Sequence, residues 1–237
     1  MRTIGLMGGM SWESSAVYYR LINEGVRERL GALHSAKLLL WSAEFSEIAA
    51  HQAKGDWDRL GGLLADAAVI LEGGGAELLL ICSNTMHKVA DEVSSAVSAP
   101  LIHIVQVTAD TIRQARCRRP LLLGTAFTMN DAFYRDQMED QRDIAVMLPD
   151  EDERRVVHQI IYDELCQGIV TPASKRRFID IVRLAEKRGA DSIILGCTEI
   201  GLLLSQDDFA LPVFDTTRLH AQAAVDHALA SHLSGSQ

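Results

Sequence analysis

Short apolar runs alternate along the chain with longer stretches in which apolar positions recur every three to four residues. The runs at 3–6, 36–41, 78–81, 101–104, 120–123, 145–148, 192–195 and 212–214 predict strands. The stretches 11–30, 56–72, 86–97, 107–117, 129–141, 150–166, 173–188 and 217–233 predict helices. Within 56–72, Leu60, Leu63, Leu64 and Ala67 keep the helical period. Strands alternating with helices mean an α/β protein with parallel sheets. Uninterrupted strands such as Leu78-Leu79-Leu80-Ile81 suit sheets covered on both faces.

The pattern repeats. Gly75-Ala76-Glu77 leads into an apolar run ending at Cys82-Ser83-Asn84-Thr85. Gly189-Ala190-Asp191 leads into another ending at Gly196-Cys197-Thr198-Glu199. The offset is 189 − 75 = 114 at the start and 197 − 83 = 114 at the end, so the register pairs Cys197 with Ser83. Each run is followed by a helix and then by Pro-apolar, at Pro100-Leu101 and Pro212-Val213. Leu121-Leu122-Leu123-Gly124-Thr125 is a weaker echo of Ile4-Gly5-Leu6-Met7-Gly8-Gly9. Two similar lobes are expected, each a parallel sheet flanked by helices, 1–103 with 208–237 forming one and 104–207 the other. They are expected to be related by a pseudo-twofold axis, with a ligand held between them at the carboxyl ends of the strands.

Composition narrows the partners. The net charge is −9 with no long basic run; Arg116–Arg119 and Lys175–Arg177 are short and read as solvated helix ends, so nucleic acid is not expected. No apolar run reaches the roughly 18 residues of a membrane span. No signal-peptide h-region with a cleavage site is present, so the cytoplasm is the default location. Cys82, Cys117, Cys166 and Cys197 are scattered, which argues against a zinc ribbon and a disulfide framework. Gly5, Gly8 and Gly9 have neither the dinucleotide fingerprint nor the lysine of a P-loop.

Ser83-Asn84-Thr85-Met86-His87 and Gly196-Cys197-Thr198-Glu199-Ile200 resemble the two signature motifs of the aspartate/glutamate racemases that work without pyridoxal phosphate. Gly8-Gly9-Met10-Ser11-Trp12-Glu13-Ser14 is similar to that family's N-terminal substrate loop. The resemblance covers essentially the whole chain. It implies a two-lobed fold and an amino-acid substrate, with neither metal nor organic cofactor. It also implies an acid and a base on opposite faces of the α-carbon, Cys197 and the position of Ser83. Asn84, Thr85, Thr125 and Thr198 would bind substrate, Met10 and Gln52 would line the pocket, and His87 and Glu199 would support from behind. On the residues alone, Asn84 and Thr198 also read as helix caps, and the two roles are compatible because a helix start binds anions for the reason it needs a cap. A homodimer is allowed.

Two positions depart from the family pattern. Cysteine usually precedes Asn-Thr, and here Ser83 stands there with Cys82 one residue earlier. Neighbouring strand residues face opposite ways, so Cys82 reads as a core residue rather than a substitute. A thiol titrates near about 8.5, whereas an alcohol is a far weaker acid and a poor proton abstractor. The site therefore resembles a hydroxyl/thiol subgroup expected to favour the L-enantiomer of aspartate or glutamate, with Cys197 as base. The second departure is Cys166, where some relatives carry a basic residue; it leaves room for broader specificity. A carboxylate-binding protein without activity, and the decarboxylases and cis–trans isomerases of the same fold, are the rival readings. His103 and His220 read as structural, and Asp215-Thr216 as a pair at the site edge.

Overall fold

The computed structural model describes residues 1–31, 33–142 and 144–233. It divides into two compact units, Met1–Ile104 with Thr217–Gln237, and Val105–Thr216. The expected first lobe included 208–216. That segment lies in the second unit because its strand pairs there, and 234–237 fall outside the described residues.

In the first unit β1 (Ile4–Gly8) lies between β2 (Leu38–Ser42) and β3 (Leu78–Ile81), all parallel. Every residue of β1 and β3 is buried, as continuous apolar runs in a sheet covered on both faces should be. β2 is the half-exposed edge. Leu101 adds a single parallel bridge to Leu79. The expected strand at 101–104 goes no further because α5 (Ile104–Gln114) has begun. The helices of this unit are α1 (Trp12–Leu30), α2 (Phe45–Lys54), α3 (Trp57–Gly73), α4 (Ala90–Ala96) and α10 (Thr216–Leu233), while α5 and α10 both begin at the unit boundary and α5 runs into the second unit. Met7, Leu79 and Ile81 belong to one buried cluster with Leu60, Leu64, Ala67 and Leu71 of α3 and Val93 of α4.

In the second unit β5 (Ser192–Gly196) lies between β4 (Pro120–Gly124) and β6 (Val213–Asp215), again parallel. Met147 bridges Leu121 on the far side of β4, which is all that forms of the expected strand at 145–148. Its helices are α5, then α6 (Ala126–Asn130), α7 (Ala132–Arg142), α8 (Glu151–Asp163) and α9 (Pro172–Lys187). The single helix expected at 129–141 is broken at Asp131, whose backbone is extended and whose carboxylate accepts from the Phe133 N–H at 3.2 Å.

The sequence repeat is a structural repeat. Reading across each sheet gives the same order of four positions: β2, β1, β3, Leu101 in the first and Met147, β4, β5, β6 in the second. The entry to the central strand is also copied. Gly75 (φ 98°) and Gly189 (φ 96°) take the left-handed turn off α3 and α9. Glu77 and Asp191 then fold their carboxylates back onto the Thr3 N–H at 2.7 Å and the Arg119 N–H at 3.0 Å.

Candidate functional site

Parallel sheets gather the carboxyl ends of their strands along one edge, so the register decides which side chains become neighbours. In the first unit Met7 pairs with Ile81, and the Cys82 N–H donates to the Met7 carbonyl at 2.9 Å. The loop after β1 and Ser83 therefore emerge side by side. In the second unit Gly124 pairs with Gly196, so Thr125 and Cys197 leave adjacent strand ends.

The first cluster is built on a tight turn. Ser83 is 8% exposed and its Oγ accepts a 3.4 Å bond from the Met86 N–H. Asn84, Thr85 and His87 are buried beside it, the last two within a 3₁₀ turn, Thr85–Val89. This turn replaces the start of the helix expected at 86–97, and α4 follows only from Ala90. His87 Nδ1 lies 2.7 Å from the Ser83 carbonyl, which can only accept. The proton is therefore on Nδ1, and Nε2 accepts from the Ile104 N–H at 3.2 Å. Burial, then the nearby His103 and His220, hold its pKa well below the usual value, so it is neutral. With both ring nitrogens committed, His87 fixes the Ser83 backbone.

Gln52, on α2, reaches the same turn, donating its Nε2 to the Met86 sulfur at 3.2 Å. Met10 packs in the apolar cluster that contains Met86 and Ile48. Its loop is shaped by close approach. A Cβ on Gly8 would lie 2.4 Å from Ser15 Oγ, and one on Gly9 (φ 84°) 2.3 Å from the Ala43 carbonyl. The glycines let β1 end hard against β2 and α1. Cys82 is fully buried, and burial drives its thiol pKa far up.

The second cluster centres on a buried carboxylate. The Cys197 thiol donates to Glu199 Oε2 at 2.9 Å, and the Thr198 hydroxyl donates to the same oxygen at 2.6 Å. Cys197 and Glu199 are 8% and 4% exposed. Burial first, then the Glu199 charge and Cys166, raise the Cys197 pKa well above its ordinary value. At rest the group is a thiol. Thr125 caps α6, accepting from the Thr128 N–H at 3.3 Å. Cys166 is half-buried, not on α8 but on the 3₁₀ turn Leu165–Gln167, because the backbone leaves the helix at Glu164. Burial raises the Tyr162 pKa, and its neighbours Cys166, Cys197 and Glu199 raise it further. His158, one helical turn earlier, meets Tyr162 in a tilted ring contact with centroids 4.7 Å apart and accepts from the Ala126 N–H at 3.3 Å. No motif in the sequence marks His158; its i, i+4 spacing to Tyr162 is the available signal.

His220 is fully buried, donating Nε2–H to the Ile102 carbonyl at 2.7 Å and accepting from Tyr18 at 2.8 Å. His103 meets His87 edge-on, with ring centroids 4.7 Å apart. Thr216 donates to the Leu195 carbonyl at 2.8 Å. Among the described residues no group of three or more His, Cys, Asp or Glu is placed to hold a metal ion. No described helix is long and apolar enough to cross a membrane.

Residues 7–224 match the sequence profile of the Asp/Glu/hydantoin racemases. The chain is 48% identical to a Yersinia pestis protein assigned provisionally as an Asp/Glu racemase, over 97% of this chain and 100% of that one, with a TM-score of 0.90. An aspartate racemase homologue from Pyrococcus horikoshii OT3 is 33% identical over 96% and 99% of the two chains, with a TM-score of 0.85. The broad specificity amino-acid racemase RacX of Bacillus subtilis is 23% identical over 96% of this chain and 98% of its own.

Proposed function

The chain belongs to the Asp/Glu/hydantoin racemase family, and from that premise we propose that it racemises aspartate, glutamate or both by cofactor-independent proton transfer at the α-carbon. Cys197 takes the α-proton of the L-enantiomer and Ser83 delivers a proton to the opposite face. The observation that carries this reading is the Cys197–Glu199 contact at the end of β5, at the position that the repeat pairs with Ser83.

A thiol is not a base until its proton leaves. Glu199 Oε2, already accepting that proton in a hydrogen bond, is the acceptor at hand. The thiol and carboxylate act as a pair holding one proton, which avoids two adjacent buried anions. When the proton moves to Glu199, the thiolate can attack the α-C–H, and the thiol re-forms as the bond breaks. Ser83 Oγ–H then protonates the carbanion and recovers its proton from solvent, to which Glu199 releases the proton it took, so the cycle closes with thiol, carboxylate and hydroxyl restored. Asn84, Thr85, Thr125 and Thr198 supply the amide and hydroxyl donors that hold the α-carboxylate and stabilise the charge that builds on it. Met10 and Gln52 wall the pocket, and His87 acts through Ser83.

Unequal partners do not give a one-way enzyme. Enantiomers have equal free energy in water, so kcat/KM must be the same in both directions. The weaker Ser83 shows instead as different kcat and KM values for the two enantiomers.

Cys166 favours a second reading, tolerance of other side chains. It offers no cation to a distal carboxylate, and RacX, by its name, is broad in specificity. The deciding experiment follows α-deuterium incorporation in deuterated water across a panel of amino acids. Exchange confined to aspartate and glutamate supports the narrow reading, exchange with neutral amino acids the broad one. No exchange with any amino acid at high protein concentration would leave a carboxylate-binding protein and overturn both.

A further inference from the structure

A cavity of about 410 Å³ opens within the second unit, lined by Ala126, Asn130, Arg135, Glu151, Arg154, Arg155 and His158. We propose that it is a binding site for a small dicarboxylate, held by the guanidinium groups of Arg135, Arg154 and Arg155 and by the His158 imidazole.

The charge count comes first. Three guanidinium groups face one lining carboxylate, Glu151, which leaves two positive charges in a protein whose net charge is −9. Arg155 is ion-paired with Asp152, but both side chains are well exposed, at 67% and 84%. A surface pair of this kind holds its partners weakly and gives up Arg155 readily. Arg135 is different. Its Nε is buried, and no group among the described residues accepts from it. A buried donor without an acceptor is costly, and a carboxylate lying against it would remove that cost. Guanidinium forks match carboxylate geometry in a way an ammonium group does not.

The histidine supplies a donor of fixed position. Its Nδ1 accepts the Ala126 N–H, so in the neutral ring the proton sits on Nε2. Burial lowers the His158 pKa, which keeps the ring neutral while the cavity is empty. A bound anion would favour the protonated ring and shift its titration upward. The ring also lies tilted against Tyr162, one helical turn along α8, with centroids 4.7 Å apart.

This inference does not rest on the racemase reading, and its test is separable from it. The probe is succinate, followed by isothermal titration and by the imidazole resonances of His158 in ¹⁵N-labelled protein. Saturable binding is expected, with a displaced His158 signal and a raised His158 pKa. Arg154→Gln should weaken it at least tenfold, and Arg135→Gln with Arg154→Gln should abolish it. Asn84→Ala, which touches only the proposed racemase site, should leave it unchanged. Binding that vanishes with Asn84→Ala, or is indifferent to Arg154→Gln, would overturn the proposal. So would tighter binding of inorganic phosphate than of succinate, or a His158 signal in wild-type protein that succinate does not move.

Discussion

A carboxylate 2.9 Å from a buried thiol sets the chemistry of Cys197. Burial alone would make the thiol a poor acid and so leave it protonated. Glu199 adds a negative charge that opposes a thiolate, yet it also offers the proton a place to go. These effects separate in Glu199→Gln. Without the charge, the Cys197 pKa should fall, and the pH dependence of its alkylation by iodoacetamide should move to lower pH. Racemisation should nevertheless drop by about 10²–10⁴, the usual worth of a proton-transfer group. An alkylation profile that stays in place would show that Glu199 does not govern the thiol. Cys197→Ser should remove α-proton exchange from the L-enantiomer by a similar factor. Ser83→Cys should be tolerated and should raise kcat for the D-enantiomer, with kcat/KM rising equally for both; an unchanged rate would remove Ser83 from the reaction.

Elements place these residues through contacts that chain neighbours do not reveal. The Gly8-Gly9 pair had the look of a ligand loop, and the structure gives it a packing reason. Gly8→Ala would push a methyl to 2.4 Å from Ser15 Oγ and 2.9 Å from Leu40, an overpacking cost of about 1–3 kcal/mol. Gly9→Ala should cost more, because the obstacle is the Ala43 backbone and φ is positive. Urea midpoints measure both, and a Gly9→Ala protein as stable as wild type would refute the account. The three histidines make a different element-scale prediction. Burial lowers His220 to about 3 and His103 to about 4, with Asp91 opposing the latter shift, and His87 lies well below its ordinary value. In the unfolded chain they bind protons near about 6.5. Between those values the unfolded state holds more protons, so stability is full above about pH 6.5 and falls as pH drops toward 4. His220→Gln, which keeps a donor for the Ile102 carbonyl, should flatten that dependence in urea unfolding at pH 7 and pH 5. An identical slope in the variant would mean His220 does not contribute.

At the scale of the whole molecule, two sheets with the same order of four strand positions each end in a small polar side chain, Ser83 in one unit and Cys197 in the other. For a racemase this repetition matches a reaction that is itself nearly symmetric. Progress curves begun from pure L- or pure D-aspartate should therefore converge on equal amounts, with equal kcat/KM, whatever the difference between Ser83 and Cys197. A final ratio away from one would point to a different reaction, such as decarboxylation or deamination.

The sequence by itself determined the α/β class, most of the buried strands and the pairing of Ser83 with Cys197. Fully buried parallel strands have to be apolar throughout, and a duplicated unit keeps its spacing. It did not show α2, a ten-residue helix too short for its apolar period to stand out, although Gln52 was already a candidate. Nor did it show the break at Asp131 or the 3₁₀ turn that carries Cys166, since both depend on which backbone N–H finds a competing acceptor. Only the tertiary structure decided the tautomer of His87, the Arg-lined cavity and the bond from Cys197 to Glu199. Sequence records which groups are present. Their protonation and donor roles depend on burial and on atoms a few ångströms away, and folding alone brings those together.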